Sequence, residues 1–151
     1  MVLLHVLRSL ARRHGWRLTA AHFNHQLRGR SSDADERLVK RTEAKLGVPL
    51  AVEQGDVRQF ARKSKLSVEM AARKLRHDFL ARIARLEKIH TIALAHHADD
   101  QTELFFLRLF RGSGVAGLAG MKWCGPSPSD RGVELARPLL GQSKAELREF
   151  A

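Results

Sequence analysis

The densest group of ionisable residues in the sequence lies at positions 96–100, which read His-His-Ala-Asp-Asp, with Glu103 one helical turn later. Carboxylates in this arrangement can bind a substrate ammonium group or hold a divalent cation that bridges nucleotide phosphates, and His96 can hydrogen-bond a phosphate. Asp99 and Asp100 are therefore candidate metal ligands. The same carboxylates could instead cap a helix, with Glu103 completing a capping box from Asp100. Both interpretations remain open.

A second group of hydrogen-bonding side chains follows a predicted buried strand, at His22, Asn24, His25 and Arg28. Their donors and switchable imidazole nitrogens suit recognition of a nucleotide base or phosphate. An ordinary solvated loop would show the same residue types. The group is therefore a candidate nucleotide-binding segment.

Arg73 and Arg76 lie three residues apart on a predicted helix, where two guanidinium groups can grip a phosphate chain together. Glu69 precedes Arg73 by four residues, so a surface ion pair is the competing interpretation.

A glycine-rich run begins with Arg111-Gly-Ser-Gly and continues through Gly117 and Gly120. Its backbone N–H groups and the Arg111 guanidinium could approach a phosphate, although a flexible turn after a helix has the same composition.

The elements that must position these groups alternate between helix and strand. This order predicts a parallel sheet with helices on both faces, and ligands of such sheets bind at the carboxyl ends of the strands. Both histidine-containing motifs follow strands, so we expect them to converge on one crevice. Segment 56–65 is predicted as a connection and segment 125–132 as a polar turn. The predicted strands are 17–23, 48–52, 90–95 and 133–136, and the predicted helices begin near Met1, Ser32, Ser67, Asp100 and Ser143.

Length and composition restrict the class of protein. The chain has 151 residues, 44% of them hydrophobic, which suits one domain with a real core. The net charge of +11 favours a polyanionic partner, although charge of this size can also serve solubility. The single cysteine, Cys124, fits a reducing compartment, so we expect the cytoplasm. No stretch has the uncharged length needed to span a membrane.

In order and spacing, five segments together resemble successive motifs of the tRNA(Ile)-lysidine synthetase family, within the wider N-type ATP pyrophosphatase (PP-loop) group. The resemblance covers nearly the whole chain and implies an adenine nucleotide alpha-hydrolase-like, Rossmann-like α/β fold. The five segments are 22–28, 69–76, 94–101, 111–121 and 137–140.

The resemblance also implies an activity. In that family ATP adenylates the C2 oxygen of the wobble cytidine in a tRNA(Ile) with a CAU anticodon, and L-lysine then displaces AMP to form lysidine. The cofactors implied are ATP and Mg²⁺. The partners implied are tRNA(Ile) and L-lysine, and no membrane partner is expected. Whether the protein forms a homodimer is left open.

Roles for individual residues follow from the resemblance. The acidic residues Asp100 and Glu103 would act toward the lysine ammonium group or magnesium, and Arg111 would approach the tRNA or the reacting nucleotide. The residues that would surround ATP are His22, Asn24, His25, Arg28, Arg73, Arg76 and His96.

The chain departs from the family pattern in three ways. Leu104 and His77 stand where the family usually has threonine and tyrosine, and the SGGxDS phosphate loop is absent from the sequence. We therefore expect residues 1–151 to form a single partial ATP-binding catalytic domain that lacks its first strand and cannot turn over ATP alone. Two alternatives remain: a metal-dependent phosphohydrolase that uses the 96–100 cluster, and a non-catalytic tRNA-binding fragment.

Overall fold

Helices and strands alternate along the computed structural model, which describes residues 1–27 and 29–151. No helix in this described part combines the length and apolar character needed to cross a bilayer. The strands are Ala20–Asn24 (β1), Leu50–Gln54 (β2), Thr91–Ala93 (β3), Cys124–Pro126 (β4) and Glu134–Ala136 (β5). The helices are Val2–His14 (α1), Arg30–Leu46 (α2), Val57–Ser64 (α3), Val68–Leu86 (α4), Ala98–Phe110 (α5) and Lys144–Phe150 (α6).

The strands form two small sheets with mainly parallel pairing. β1 pairs with β2 in parallel, and β3 pairs with β5 in parallel. The predicted parallel α/β class is confirmed. β4 pairs with β5 in antiparallel orientation, so the prediction that segment 125–132 is wholly a polar turn is wrong at its beginning. Pro126 is tolerated there because β4 lies at a sheet edge, where a missing N–H disrupts no ladder.

Two helix starts follow from local signals in the sequence. The Ser67 hydroxyl accepts a hydrogen bond from the Met70 N–H at 3.2 Å and caps α4. At α6, Ser143 and Glu146 form the predicted capping box. Both predictions are confirmed, because these caps involve residues only three apart along the chain.

Helix α3 lies within the segment predicted to be a connection, so that prediction is wrong. Asp56 caps this helix through the Gln59 N–H, and Val57 and Ala61 are buried in the core. Eight residues form a marginal helix in water. Packing against α4 therefore stabilises an element that its own sequence signals weakly.

The core lies where β1 meets α3 and α4. Its buried members are Phe23, Val57, Ala61, Ala71 and Phe79, and the Phe23 and Phe79 rings lie 5.7 Å apart. Because this core contains residues from β1 and α4, it fixes their relative position. Polar residues on those two elements are thereby held close together.

The end of β1 is joined to α2 and β2 by a buried carboxylate. Glu36 accepts hydrogen bonds from Lys40 at 2.7 Å, Asn24 at 2.9 Å and Gln54 at 2.8 Å. These bonds, led by the one from Lys40, lower the pKa of Glu36 to about 2. The Asn24 side chain also accepts from the Gln26 N–H at 3.0 Å, so its amide is fully engaged in this network.

An apolar cleft of about 680 Å³ separates the two sheets. We call it the β1–β3 cleft, because both strands line it together with residues of α1 and α4. Its apolar lining includes Leu3, Leu7, Leu18, Leu80, Ile83, Ile92 and Leu94.

Both strands present an unpaired backbone edge to this cleft. In β1, Ala20 and Asn24 bond on the side of β2. Because backbone groups alternate between the two edges of a strand, those of Ala21 and Phe23 are directed to the cleft.

The same alternation holds in β3. Leu94 donates its N–H to Ala136 of β5, so Thr91 and Ala93 direct their backbone groups to the cleft. Each sheet therefore retains a free edge where the sequence predicts one continuous sheet.

We expect Glu36→Gln to lower the free energy of unfolding by about 1–3 kcal/mol at pH 7, because it removes the charge facing Lys40 and turns one acceptor into a donor. Urea denaturation monitored by circular dichroism measures the change. The pKa of Glu36 is lower in the folded chain than in the unfolded chain, so its stabilisation is present above pH 4.5 and is lost as the pH falls toward 2. The difference between variant and wild type should therefore shrink in acid.

The matched control is Asp35→Asn, an exposed neighbour on the same helix, which should leave stability nearly unchanged. Equal effects of the two substitutions would contradict the role assigned to Glu36.

Candidate active site at the strand ends

Buried nitrogen atoms without partners are concentrated near the ends of the strands and on helix α4, which packs against them. In native proteins nearly all buried polar atoms are hydrogen-bonded, so each exception requires an explanation. Within the described residues, the unpartnered atoms are His22 Nε2, His25 Nδ1, Arg76 Nε, His77 Nδ1, His96 Nδ1, His97 Nδ1 and Arg137 Nε.

Electrostatic coupling joins the end of β1 to helix α4. Burial lowers the pKa of His25, and the nearby charges of Arg76 and His22 lower it further. Burial and the charge of Arg73 lower the pKa of Arg76. The two arginines of α4 and the two histidines of the β1 motif therefore share one neighbourhood.

The end of β3 belongs to the same neighbourhood. Burial lowers the pKa of His96, Arg137 beyond β5 lowers it further, and Asp100 raises it. Arg76 and Arg73 act on His96 in the same direction as Arg137. His96 and Arg137 follow paired parallel strands, since Leu94 donates its N–H to Ala136, and the α4 arginines act on the same imidazole.

His77 lies within this group. It is only 3% exposed, and its pKa is lowered to about 4, first by burial and then by the charges of Arg76, Arg73 and Arg137. We name the whole group the cationic cluster, with members His22, His25, Arg73, Arg76, His77, His96 and Arg137.

The cationic cluster has the chemistry of an oxyanion site. Guanidinium groups make bidentate hydrogen bonds to phosphate, and neutral imidazoles supply further donors. Several like charges with unpartnered donors are costly unless an anion binds between them. The geometry therefore favours a ligand that carries phosphate.

The predicted ATP-binding residues divide into three groups. His22, His25, Arg73, Arg76 and His96 belong to the cationic cluster, as the convergence of motifs predicts. Asn24 is only 2% exposed, and its side chain bonds to Glu36 and Gln26. Arg28 lies outside the described residues.

Asp99 and Asp100 both accept hydrogen bonds from backbone N–H groups at the starts of helices. Asp100 accepts a hydrogen bond from the His97 N–H at 2.8 Å at the start of α5, and Asp99 accepts one from the Lys144 N–H at 2.8 Å at the start of α6. The Lys144 bond is also the main reason that the pKa of Asp99 is lowered. Asp100 is the closer of the two to the cationic cluster, since it acts on His96.

The other predicted catalytic residues lie farther along α5. Glu103 is exposed one turn beyond Asp100. Arg111 ends the helix, and a rise of 1.5 Å per residue places it roughly 16 Å from Asp100 along the axis. No contact joins either residue to the cationic cluster within the part of the chain that the structure describes.

Two members of the cationic cluster, His77 and Arg137, are absent from the residues singled out by sequence. Arg137 begins one of the five segments that resemble the family, and His77 stands where the family usually has tyrosine. The sequence therefore drew attention to both positions without assigning either residue to the site. What the sequence lacks is their burial, which depends on how α4 packs against the strand ends.

The metal-dependent hydrolase alternative finds no support. Among the described residues no three His, Cys, Asp or Glu side chains are grouped so that they could hold a metal ion. The carboxylates of Asp99 and Asp100 accept backbone N–H groups at the starts of two different helices.

The whole chain, residues 1–151, matches the PP-loop domain, and the chain belongs to that family. It is also similar to proteins named tRNA(Ile)-lysidine synthase. The protein from Porphyromonas gingivalis strain W83 is 39% identical over 150 residues, which is 99% of this chain and 31% of that relative. The protein from Chlorobaculum tepidum is 38% identical over 147 residues, which is 97% of this chain and 42% of that relative.

A third relative, from Petrotoga mobilis, is 35% identical over 150 residues, which is 99% of this chain and 46% of that protein. The chain thus spans between about a third and a half of the length of these relatives.

The depressed pKa of His77 predicts acid instability. The unfolded chain takes up a proton near pH 6.5 and the folded chain near pH 4, so the free energy of unfolding should fall over this range by about 1–3 kcal/mol from this residue. His77→Phe cannot titrate and should show a smaller fall. Urea denaturation at pH 7, 5.5 and 4.5 measures the two slopes.

The matched control is His5→Gln, at an exposed position of α1, which should retain the wild-type slope. A wild-type slope in His77→Phe would contradict the burial of His77 in its neutral form.

Proposed function

We propose that this chain is a partial ATP-binding catalytic domain of a tRNA(Ile)-lysidine synthetase, an ATP-dependent carbon–nitrogen ligase. The observation that carries the proposal is the group of buried nitrogen atoms, on α4 and near the ends of β1, β3 and β5, that have no hydrogen-bond partner among the described residues. Membership of the PP-loop family and similarity to named lysidine synthases support it.

In the first step, the O2 atom of the wobble cytidine attacks the α-phosphorus of ATP and pyrophosphate leaves. The cationic cluster would stabilise the charge that develops on the phosphate oxygens. Arg73 and Arg76 would hold the phosphate chain, and His22, His25 and His96 would orient it. Asn24 would shape the end of β1 through Glu36, and Arg28 remains a predicted ligand of ATP.

In the second step, the lysine side-chain amine attacks C2 of the adenylated cytidine, and AMP leaves as the C–N bond forms. The ammonium group must first lose a proton. Asp100 would bind the ammonium group and direct the amine, with Glu103 as the second predicted carboxylate. Arg111 remains a predicted contact with the tRNA.

Magnesium is part of the proposal. Mg²⁺ on a nucleotide needs only one or two protein carboxylates, because phosphate oxygens and water supply its other ligands. Asp100, beside the cationic cluster, fits that role better than Asp99, which is committed to α6. A bound Mg²⁺ would neutralise charge on the pyrophosphate leaving group.

The β1–β3 cleft supports the proposal that residues 1–151 are part of a larger domain. Within the described residues, β1 and β3 each direct one edge without a strand partner to an apolar space, and such edges can take up an additional strand by backbone hydrogen bonding. We propose that a strand encoded upstream of Met1, ending in the phosphate loop, occupies this cleft and completes one sheet.

Hydrogen exchange tests this strand. In the polypeptide extended by its own upstream coding sequence, we expect the amides of Ala21, Phe23 and Ala93 to exchange at least about 100-fold more slowly than in residues 1–151, because each would gain a backbone partner. The Leu94 amide, already bonded to Ala136, is the internal control and should change less. Equal exchange in both polypeptides would contradict the added strand.

The partners follow from the reaction. We propose tRNA(Ile) and L-lysine as substrates, and the net charge of +11 is consistent with an RNA partner. Cytoplasmic location and a homodimer stay predictions.

Activity is tested with the full-length product of the coding sequence that contains this chain. We expect it to transfer labelled lysine to tRNA(Ile) with a CAU anticodon only when ATP is present. Asp100→Asn should lower this transfer by at least about 100-fold, since it removes the charge that faces the ammonium group or Mg²⁺. Its amide oxygen can still accept the His97 N–H, so the helix cap is kept.

The matched control is Asp35→Asn, exposed on α2, which should retain full activity. Salt-sensitive tRNA binding without any lysine transfer by the full-length product would favour the non-catalytic alternative.

A further inference from the structure

His77 has the properties of a ligand-binding group that the proposed reaction does not yet use. It is buried, and its Nδ1 atom has no hydrogen-bond partner within the described residues. The surrounding charges that act on it are those of Arg76, Arg73, Arg137 and His96. A neutral imidazole is thus enclosed by positive groups, and its free nitrogen is left unsatisfied.

The acidic neighbour of His77 along α4 already has hydrogen-bond partners. Asp78, the next residue of α4, accepts hydrogen bonds from Lys74 at 3.0 Å and from the Ser129 hydroxyl at 2.7 Å. Its carboxylate is therefore satisfied by other elements. Asp78 therefore does not offer an acceptor to His77, and an external anion could offset the charge around it.

Arg137 reaches this position from a different strand. It follows β5, and Leu94 of β3 bonds to Ala136, so Arg137 and His96 emerge at the same end of paired parallel strands. One nitrogen of Arg137 donates to the Lys122 carbonyl at 2.8 Å, while its buried Nε atom has no partner among the described residues. The side chain is anchored, and one donor remains available.

We propose that His77 and Arg137, together with Arg76, form a subsite for one phosphate oxyanion of the bound nucleotide, and that His77 takes up a proton when this oxyanion binds. The proposal rests on the proposed nucleotide-binding function and adds two residues and a linked proton to it.

The physical reason for the linkage is the balance of charge. Without an anion, burial and then three guanidinium groups oppose a positive charge on His77, and the imidazole stays neutral at pH 7. An oxyanion beside Arg137 and Arg76 offsets their charge and offers an acceptor to the imidazolium. Its binding therefore raises the pKa of His77, so protonation and anion binding favour each other.

The experiment measures binding of inorganic pyrophosphate to the full-length product by calorimetry at pH 6.5, in two buffers with different heats of ionisation. The difference in heat gives the number of protons taken up. We expect Arg137→Gln to weaken binding at least about 10-fold, because a charge-assisted hydrogen bond is lost. The matched control, Arg131→Gln, alters an exposed arginine of the loop between β4 and β5 and should bind like wild type.

The proton is assigned by substituting His77. His77→Tyr retains a donor but cannot titrate in this range, so it should bind pyrophosphate within a few fold of wild type while proton uptake falls by up to about one proton per site. His77→Phe should lose both the donor and the proton. Thermal unfolding of each variant establishes that it is folded before binding is measured.

The outcomes separate the two proposals. If wild type binds pyrophosphate and the Arg137 and His77 variants match it in affinity and proton uptake, the subsite is wrong and the nucleotide site stands. If folded wild type binds neither pyrophosphate nor ATP, both proposals fall.

Discussion

Uncompensated positive charge at the ends of β1, β3 and β5 is the constraint on which the rest of this site depends. Within the described residues, Arg76 and Arg137 each keep a buried nitrogen atom without a partner, and burial together with the surrounding positive groups keeps His77 neutral. Bringing like charges together in a partly buried place costs free energy, so the fold must hold them there by other interactions. A bound polyanion, as we propose, would offset this repulsion.

Two structural features hold the charges together. The core around Phe23 and Phe79 fixes β1 against α4, which carries Arg73, Arg76 and His77. The Glu36 network fixes the end of β1 against α2 and β2 through hydrogen bonds from Asn24 and Gln54 to one buried carboxylate. The core is held by apolar contacts and the Glu36 carboxylate by hydrogen bonds within the protein. Neither of these features needs a bound ligand for its stability.

The acidic residues after His97 show that structural and chemical roles can coincide. Asp99 and Asp100 each accept a backbone N–H at the start of a helix, but the partners differ from the predicted ones. Asp100 completes a capping box with His97, not with Glu103, and Asp99 accepts its bond at the start of α6. A carboxylate held by one oxygen has the other available in a defined direction, and pre-orientation of this kind favours binding of an ammonium group or a cation. Capping is therefore compatible with the proposed role of Asp100.

The sequence by itself determined the features that depend on near neighbours along the chain: the capped starts of α4 and α6, the alternation that predicts a parallel α/β fold, and the histidines and arginines at strand ends. Only the tertiary structure decided that α3 is helical, that the strands form two sheets separated by the β1–β3 cleft, and that Asn24 bonds to Glu36. It also decided that His77 and Arg137 join the site while Arg111 lies at the far end of α5. The physical reason is that residues distant in the chain set the burial and the electrostatic surroundings of each of these positions. A local sequence pattern does not contain this information.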